Sequence, residues 1–102
     1  MFEPFQNLMI KAAGYYGISK EMQAAKICTD FKKLIPSLFD PRKSPQENVS
    51  PAYYKNSTLV INVKSQAWAQ EIIMRKEKII EEMNKKAGEM VIKNLRAQLY
   101  NG

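Results

Sequence analysis

Apolar positions recur along this chain with two different periods, one helical and one of two residues, and each predicts a kind of element. Phe5, Leu8, Met9, Ala12 and Tyr16 follow the i, i+3, i+4 spacing of an amphipathic helix, with Pro4 in its first turn and Gly14 and Gly17 ending it. Ala24, Ile27, Cys28, Phe31, Ile35 and Leu38 repeat the spacing in a second helix. Ser19 is its N-cap and Glu21 lies in its first turn, while Lys20, Lys26, Asp30 and Lys33 fall off the stripe. Pro36 predicts that this helix stops or tightens near Ile35. The period then changes to two. Leu59, Ile61 and Val63 share one face of a strand over 58–64, and Thr58, Val60, Asn62 and Lys64 share the other. Ala52 to Lys55 reads as an edge strand opened by Pro51, with Asn56 and Ser57 as the turn between the two.

Between the helical pair (3–38) and the strands, residues 40–50 (DPRKSPQENVS) carry two prolines and almost no apolar side chains, and read as a loop. After the confident strand, Ser65 caps a helix predicted to run unbroken to Ala87 and to end at Gly88. Trp68, Ala69, Ile72, Ile73, Ile79, Ile80, Met83 and Ala87 form its apolar side. Glu71–Arg75 and Glu81–Lys85 are spaced for ion pairs on the other side. A last strand over 90–99 would turn Val91, Leu95, Ala97 and Leu99 inward and Ile92, Asn94, Arg96 and Gln98 outward, with Lys93 in the apolar phase. The order is α-α-β-β-α-β: an α+β fold with helices on one face of a small three-stranded sheet and a long crossover helix. With 102 residues, neither half could bury a core alone, so 1–102 is read as one domain with 51–99 as its β-β-α-β unit.

Composition changes this picture in two ways. The 16 Lys and Arg against 10 Asp and Glu give a net charge of +6, which favours an anionic partner, most often nucleic acid, over a merely soluble basic surface. Histidine is absent and Cys28 is the one cysteine, which removes the commonest general base, the commonest metal ligands and the usual Ser-His and Cys-His catalytic pairs. Neither a Walker loop nor a dinucleotide fingerprint is present, so no enzymatic activity and no cofactor is expected. A single cysteine and the lack of a long apolar run or leader-like N-terminus lead to the expectation of a cytoplasmic protein that spans no membrane.

Three features compete for a functional role. Gly14-Tyr15-Tyr16-Gly17 matches the GxxG with which KH domains clamp a nucleic-acid backbone, but two tyrosines occupy its centre and it precedes both strands, so a helix-ending turn is the better reading. Lys76 interrupts the apolar stripe of the long helix; a snorkelling stem accounts for it more simply than a catalytic amine. Trp68, in phase with Ile72 and Ile79, reads as a core anchor before a stacking platform. The long helix itself carries five basic and four acidic residues over 71–86 and is a charge-laced surface rather than a groove binder. The basic excess lies elsewhere. Lys32 and Lys33 belong to the second helix, Arg42 and Lys43 to the loop, and Lys55, Lys64, Lys93 and Arg96 to the sheet. These eight are the candidate nucleic-acid contacts. Asn62, Asn94, Gln98 and one of Tyr53 or Tyr54 would complete a single-strand platform on the outward sheet face, against which an ordinary solvated sheet face is the competing reading.

The stretch 59–99 resembles the bacterial DciA family. The matching positions are Leu59, Ile61 and Val63; Ser65, Trp68, Ala69, Glu71 and Ile72; Met83, Asn84 and Gly88; then Val91, Ile92, Leu95 and Arg96. The upstream AAKICTDFKKLIP is similar to that family's helix, with Phe31 where a Trp is usual and without the Gly that follows it. The resemblance implies a KH-like fold lacking a functional GxxG loop, affinity for single-stranded or forked DNA, and a part in loading the replicative helicase. Family members often carry a flexible C-terminal extension that contributes to helicase contact; the chain ends at Gly102, so it is expected to supply the folded module alone. A KH-like RNA-binding or ribosome-associated factor and a purely protein-interacting domain are the competing expectations, and no small-molecule substrate is expected.

Overall fold

The computed structural model describes residues 19–100; the predicted first helix and the Gly14–Gly17 motif lie outside them. Helix α1 spans Lys20–Leu38 and is capped as predicted, Ser19 Oγ accepting from the Met22 N–H at 3.1 Å. It does not stop at Ile35. Pro36 lies inside it, and the carbonyl that Pro36 leaves without an intrahelical donor belongs to exposed Lys32, where water can serve. Phe39 ends the helix, its N–H donating to Ile35 O. Asp30 was expected off the buried stripe, yet it is buried and paired with Lys26 at 3.5 Å, one turn back.

Residues 40–50 are not a plain loop. A 3-10 turn over Pro41–Lys43 leads to a one-turn helix, α2, at Pro45–Asn48, each starting with a proline where no N–H is needed. Strand β1 already begins at Val49 and runs to Lys55. Its pairing with β2 (Thr58–Val63) is antiparallel, and Lys64 N–H donates to Asn48 O at 3.1 Å. That bond sets the phase: Ser50 faces Asn62 in a hydrogen-bonded pair, and Pro51 faces Ile61 in the alternate type. The missing donor of Pro51 therefore points away from β2, at the sheet edge, which is why the strand tolerates it. Asn56 and Ser57, at φ 51° and 62°, close the predicted turn in the left-handed conformation that two-residue hairpins require.

After β2 comes a helical crossover, but not one helix. Helix α3 covers Gln66–Met74, helix α4 covers Lys76–Ala87, and Arg75 (φ −105°, ψ 11°) breaks the register between them. Ile73, about 100° round α3 from buried Ile72, lies outside the stripe: it is 59% exposed, beside Met74 at 70%. Arg75 is held there by Glu71 Oε1 at 3.0 Å and lies 5.7 Å above the Phe39 ring. The expected Glu81–Lys85 pair is replaced by Glu82–Lys85 at 3.9 Å. Gly88 (φ 81°) ends α4 as predicted, its N–H donating to Asn84 O and Lys85 O.

Strand β3 covers only Asn94–Leu99 and lies parallel to β2, giving the order β1-β2-β3. The preceding residues 90–93 are irregular, and this reverses one expectation: Ile92 is fully buried rather than outward. Leu99, expected inward in the core, is half exposed. The core consists of Leu59, Ile61 and Val63 from β2, covered by Ile27, Phe31 and Ile35 of α1, Ile72 of α3, Ile79 and Met83 of α4, and Ile92 and Leu95. The long helices among the described residues thus lie on one side of a mixed three-stranded sheet, an α+β architecture.

Candidate nucleic-acid interface

The outward sheet face follows from register. A bulge between Pro51 and Tyr53 inserts Ala52 into β1 without a partner. Without it, alternation from buried Val49 would point Tyr53 inward and Tyr54 outward. With it, Tyr54 turns to the core and donates its hydroxyl to Val91 O at 2.6 Å, while Tyr53 and Lys55 face out. Tyr53 is 48% exposed. Parallel pairing of β2 with β3 then builds three outward rows: Lys55–Thr58–Asn94, Tyr53–Val60–Arg96 and Ser50–Asn62–Gln98.

The first two rows form one site. Tyr53, Lys55, Asn56, Thr58, Val60 and Arg96 line a shallow hollow of about 190 Å³. Tyr53 and Arg96 flank Val60 on the two edge strands, about 10 Å apart across three strands. Val60, predicted outward, retains only 2% of its surface, so the hollow has an apolar floor between an aromatic ring and a guanidinium. Lys93 stands at the same end, since its N–H donates to Ser57 O at 2.8 Å. Around the hairpin tip a second hollow of about 320 Å³ is lined by Lys20, Gln23, Tyr54, Lys55, Asn56 and Ser57. Lys20 lies off the apolar stripe and belongs to the basic excess of its helix, but no local signal in the sequence brings it beside a turn 36 residues away. The third row is quieter: Gln98 Nε2 donates to Asn62 Oδ1 at 2.8 Å, and the two amides satisfy each other.

The other predicted contacts are not part of this cluster. Lys64 follows β2 at the opposite end of the sheet, about 20 Å along the strand from Thr58, in a hollow shared with Glu47 and Tyr100. Arg42 is engaged by Asp40, its Nε and Nη2 each 3.2 Å from a carboxylate oxygen, and this contact holds the Asp40 carboxyl below the usual carboxylate range. Lys43 lines a hollow with Ala67, Trp68 and Glu71, where the carboxylate offsets its charge. Lys32 and Lys33 are exposed on α1, in the layer behind the sheet. Of eight candidates, the fold therefore gathers Lys55, Lys93 and Arg96. Among the described residues no group of three or more His, Cys, Asp or Glu is placed to hold a metal ion, and no helix is long and apolar enough to cross a membrane.

The family model described as Dna[CI] antecedent, DciA matches residues 9–97. The chain belongs to the DciA family. This family is related to replicative-helicase loading. No curated protein matches the chain. Most of the positions on which the resemblance was drawn have structural roles. Ser65 Oγ caps α3 by accepting from Trp68 N–H, and Trp68 packs edge-on against Phe39 at 5.7 Å, partly buried against the core. Phe31 is wholly buried. Asn84 binds the backbone of the segment entering β3, with Oδ1 accepting from Val91 N–H (2.9 Å) and Ile92 N–H (2.8 Å) and Nδ2 donating to Ile92 O (3.0 Å). Arg96 is the matching position that faces the hollow.

Proposed function

We propose that this domain is a non-catalytic DNA-binding and protein-docking module that assists loading of the replicative helicase. The observation that carries the DNA half is the union of Tyr53, Lys55 and Arg96 around one hollow, with exposed Lys93 at the same end of the sheet. An exposed ring offers a base a stacking surface, and the three cations neutralise phosphates on either side of it. Membership of the DciA family supports the helicase half, and the exposed apolar pair Ile73–Met74 at the helix break is a surface of the kind protein partners cover.

Fluorescence anisotropy with single-stranded and forked oligonucleotides tests the reading. Three to four phosphate contacts give a log–log salt slope of about −2 to −3, so affinity should fall about 20- to 50-fold between 50 and 200 mM salt. The double variant Lys55→Glu with Arg96→Glu should weaken binding and flatten that slope, whereas Lys32→Glu with Lys33→Glu should leave both nearly unchanged. Binding that ignores salt, or that responds equally to the two variants, would remove the sheet face from the proposal. A preference for matched RNA would move the domain to the RNA-binding reading.

A further inference from the structure

The free edge of β3 is built to accept one more strand. Tyr100 N–H donates to Val63 O and Asn94 N–H to Ser57 O, so the even-numbered residues of β3 direct their backbone groups to β2. By the alternation of a parallel ladder, Leu95, Ala97 and Leu99 direct theirs outward. The Leu95 N–H is already taken by Asn94 Oδ1 at 2.9 Å, which closes the start of the edge. The N–H and C=O groups of Ala97 and Leu99 remain, and among the described residues no strand lies beyond β3. Edges are usually blunted by proline, inward charge or a bulge; β1 has Pro51 and its bulge, and β3 over Ala97–Leu99 has neither.

We infer that this edge docks an extended segment of another protein in which apolar and acidic residues alternate. Resting on the protein-docking part of the proposed function, the inference gives that part a location. Side chains of an added strand would alternate between the two faces of the sheet. On the inner face they meet Leu99, half exposed beside the core; on the outer face they meet Arg96, flanked by the neutral amides Asn94 and Gln98. Apolar residues suit the first and carboxylates the second. A second copy of the chain is the poorer occupant, because antiparallel pairing about Ala97 would set two Arg96 side chains as diagonal neighbours between chains of net charge +6.

The probe is a synthetic peptide of alternating valine and glutamate, with a valine–lysine peptide as its counterpart, titrated into the full chain by amide NMR. The amides of Ala97 and Leu99 should shift and become protected from exchange with the acidic peptide, and the basic peptide should bind at least tenfold more weakly. Arg96→Glu should reverse that preference. Ala97→Pro removes an N–H that β2 does not use, so it should fold and lose the acidic peptide while keeping its oligonucleotide affinity. Equal binding of both peptides, unmoved edge amides, or wild-type peptide affinity in a folded Ala97→Pro variant would overturn the inference. So would sedimentation showing that copies of the chain pair through this edge. If Ala97→Pro fails to fold, amide mapping and Arg96→Glu decide the matter. Oligonucleotide anisotropy on the same samples reads the sheet face separately, so the edge and the face can fail independently.

Discussion

Asn84→Ala should be among the most destabilising single substitutions outside the apolar core. The side chain makes three hydrogen bonds of 2.8–3.0 Å to the backbone of Val91 and Ile92, and a contact of 3.2 Å to the Met90 sulfur. Val91 and Ile92 are buried, so truncation leaves two donors and one acceptor with little access to water. An unsatisfied buried group costs about 1–3 kcal/mol. Exposed Met90 lets water reach one side of the segment, which brings the sum to about 2–4 kcal/mol. For a domain of this size that lowers Tm by about 10–30 °C. Thermal and urea denaturation followed by circular dichroism measure it, with Gln98→Ala as a control that loses one exposed amide pair and less than about 0.5 kcal/mol. Asn84→Asp should fall between the two, because it keeps both acceptor bonds but faces a carboxylate to Ile92 O. If Asn84→Ala melts within about 3 °C of the parent, water replaces the amide and the clamp does not hold β3 in place.

Ser57→Gly should raise stability by about 0.5–1 kcal/mol, since Ser57 sits at φ 62° and glycine relieves the strain of a left-handed turn position; an unchanged or lowered urea midpoint would contradict this. Tyr53→Ala should weaken single-stranded DNA binding about 5- to 150-fold while leaving the melting curve almost unmoved. Tyr54→Phe should do the reverse, losing the 2.6 Å bond to Val91 O and about 1–2 kcal/mol of stability with DNA affinity retained. Throughout these titrations the emission of Trp68, packed against Phe39 on the helical side, should stay constant; quenching by DNA would return Trp68 to the role of platform.

Elements whose signal is local were legible in the sequence. The cap at Ser19, the turn at Asn56–Ser57, the inner face of β2 and the stop at Gly88 each rest on a few adjacent residues, and each stands as expected. The larger departures depend on contacts that no short window of sequence shows. Arg75 breaks the crossover helix without Pro or Gly, and its two partners, Glu71 and Phe39, lie on different elements. Ile92 is buried because an amide eight residues earlier satisfies its backbone and lets the chain enter the core without joining the sheet. Pro51 lies inside β1 because ladder phase, set by Asn48 and Lys64, points its nitrogen to solvent. Of the site, charge and residue type were visible, but the grouping was not: Arg42 pairs with Asp40 two positions away, and Lys64 sits at the far end of the same face.

The residues on which the DciA resemblance rests and the residues proposed to bind DNA have Arg96 in common, and the bulge at Ala52 decides which side chain stands opposite it. Ser65, Trp68, Asn84 and Gly88 fix the crossover and so the register of β3 against β2. That register puts Arg96 beside Val60, but it says nothing about which tyrosine lies on the other side. Two adjacent tyrosines are equivalent to any alternation rule, and one unpaired residue between Pro51 and Tyr53 decides which becomes core and which becomes surface. The scaffold therefore fixes where a cation stands without fixing its aromatic neighbour. Chains sharing the DciA scaffold but differing by one residue in the first strand would present a different outward face over the same core, and their nucleic-acid preferences should diverge before their folds do.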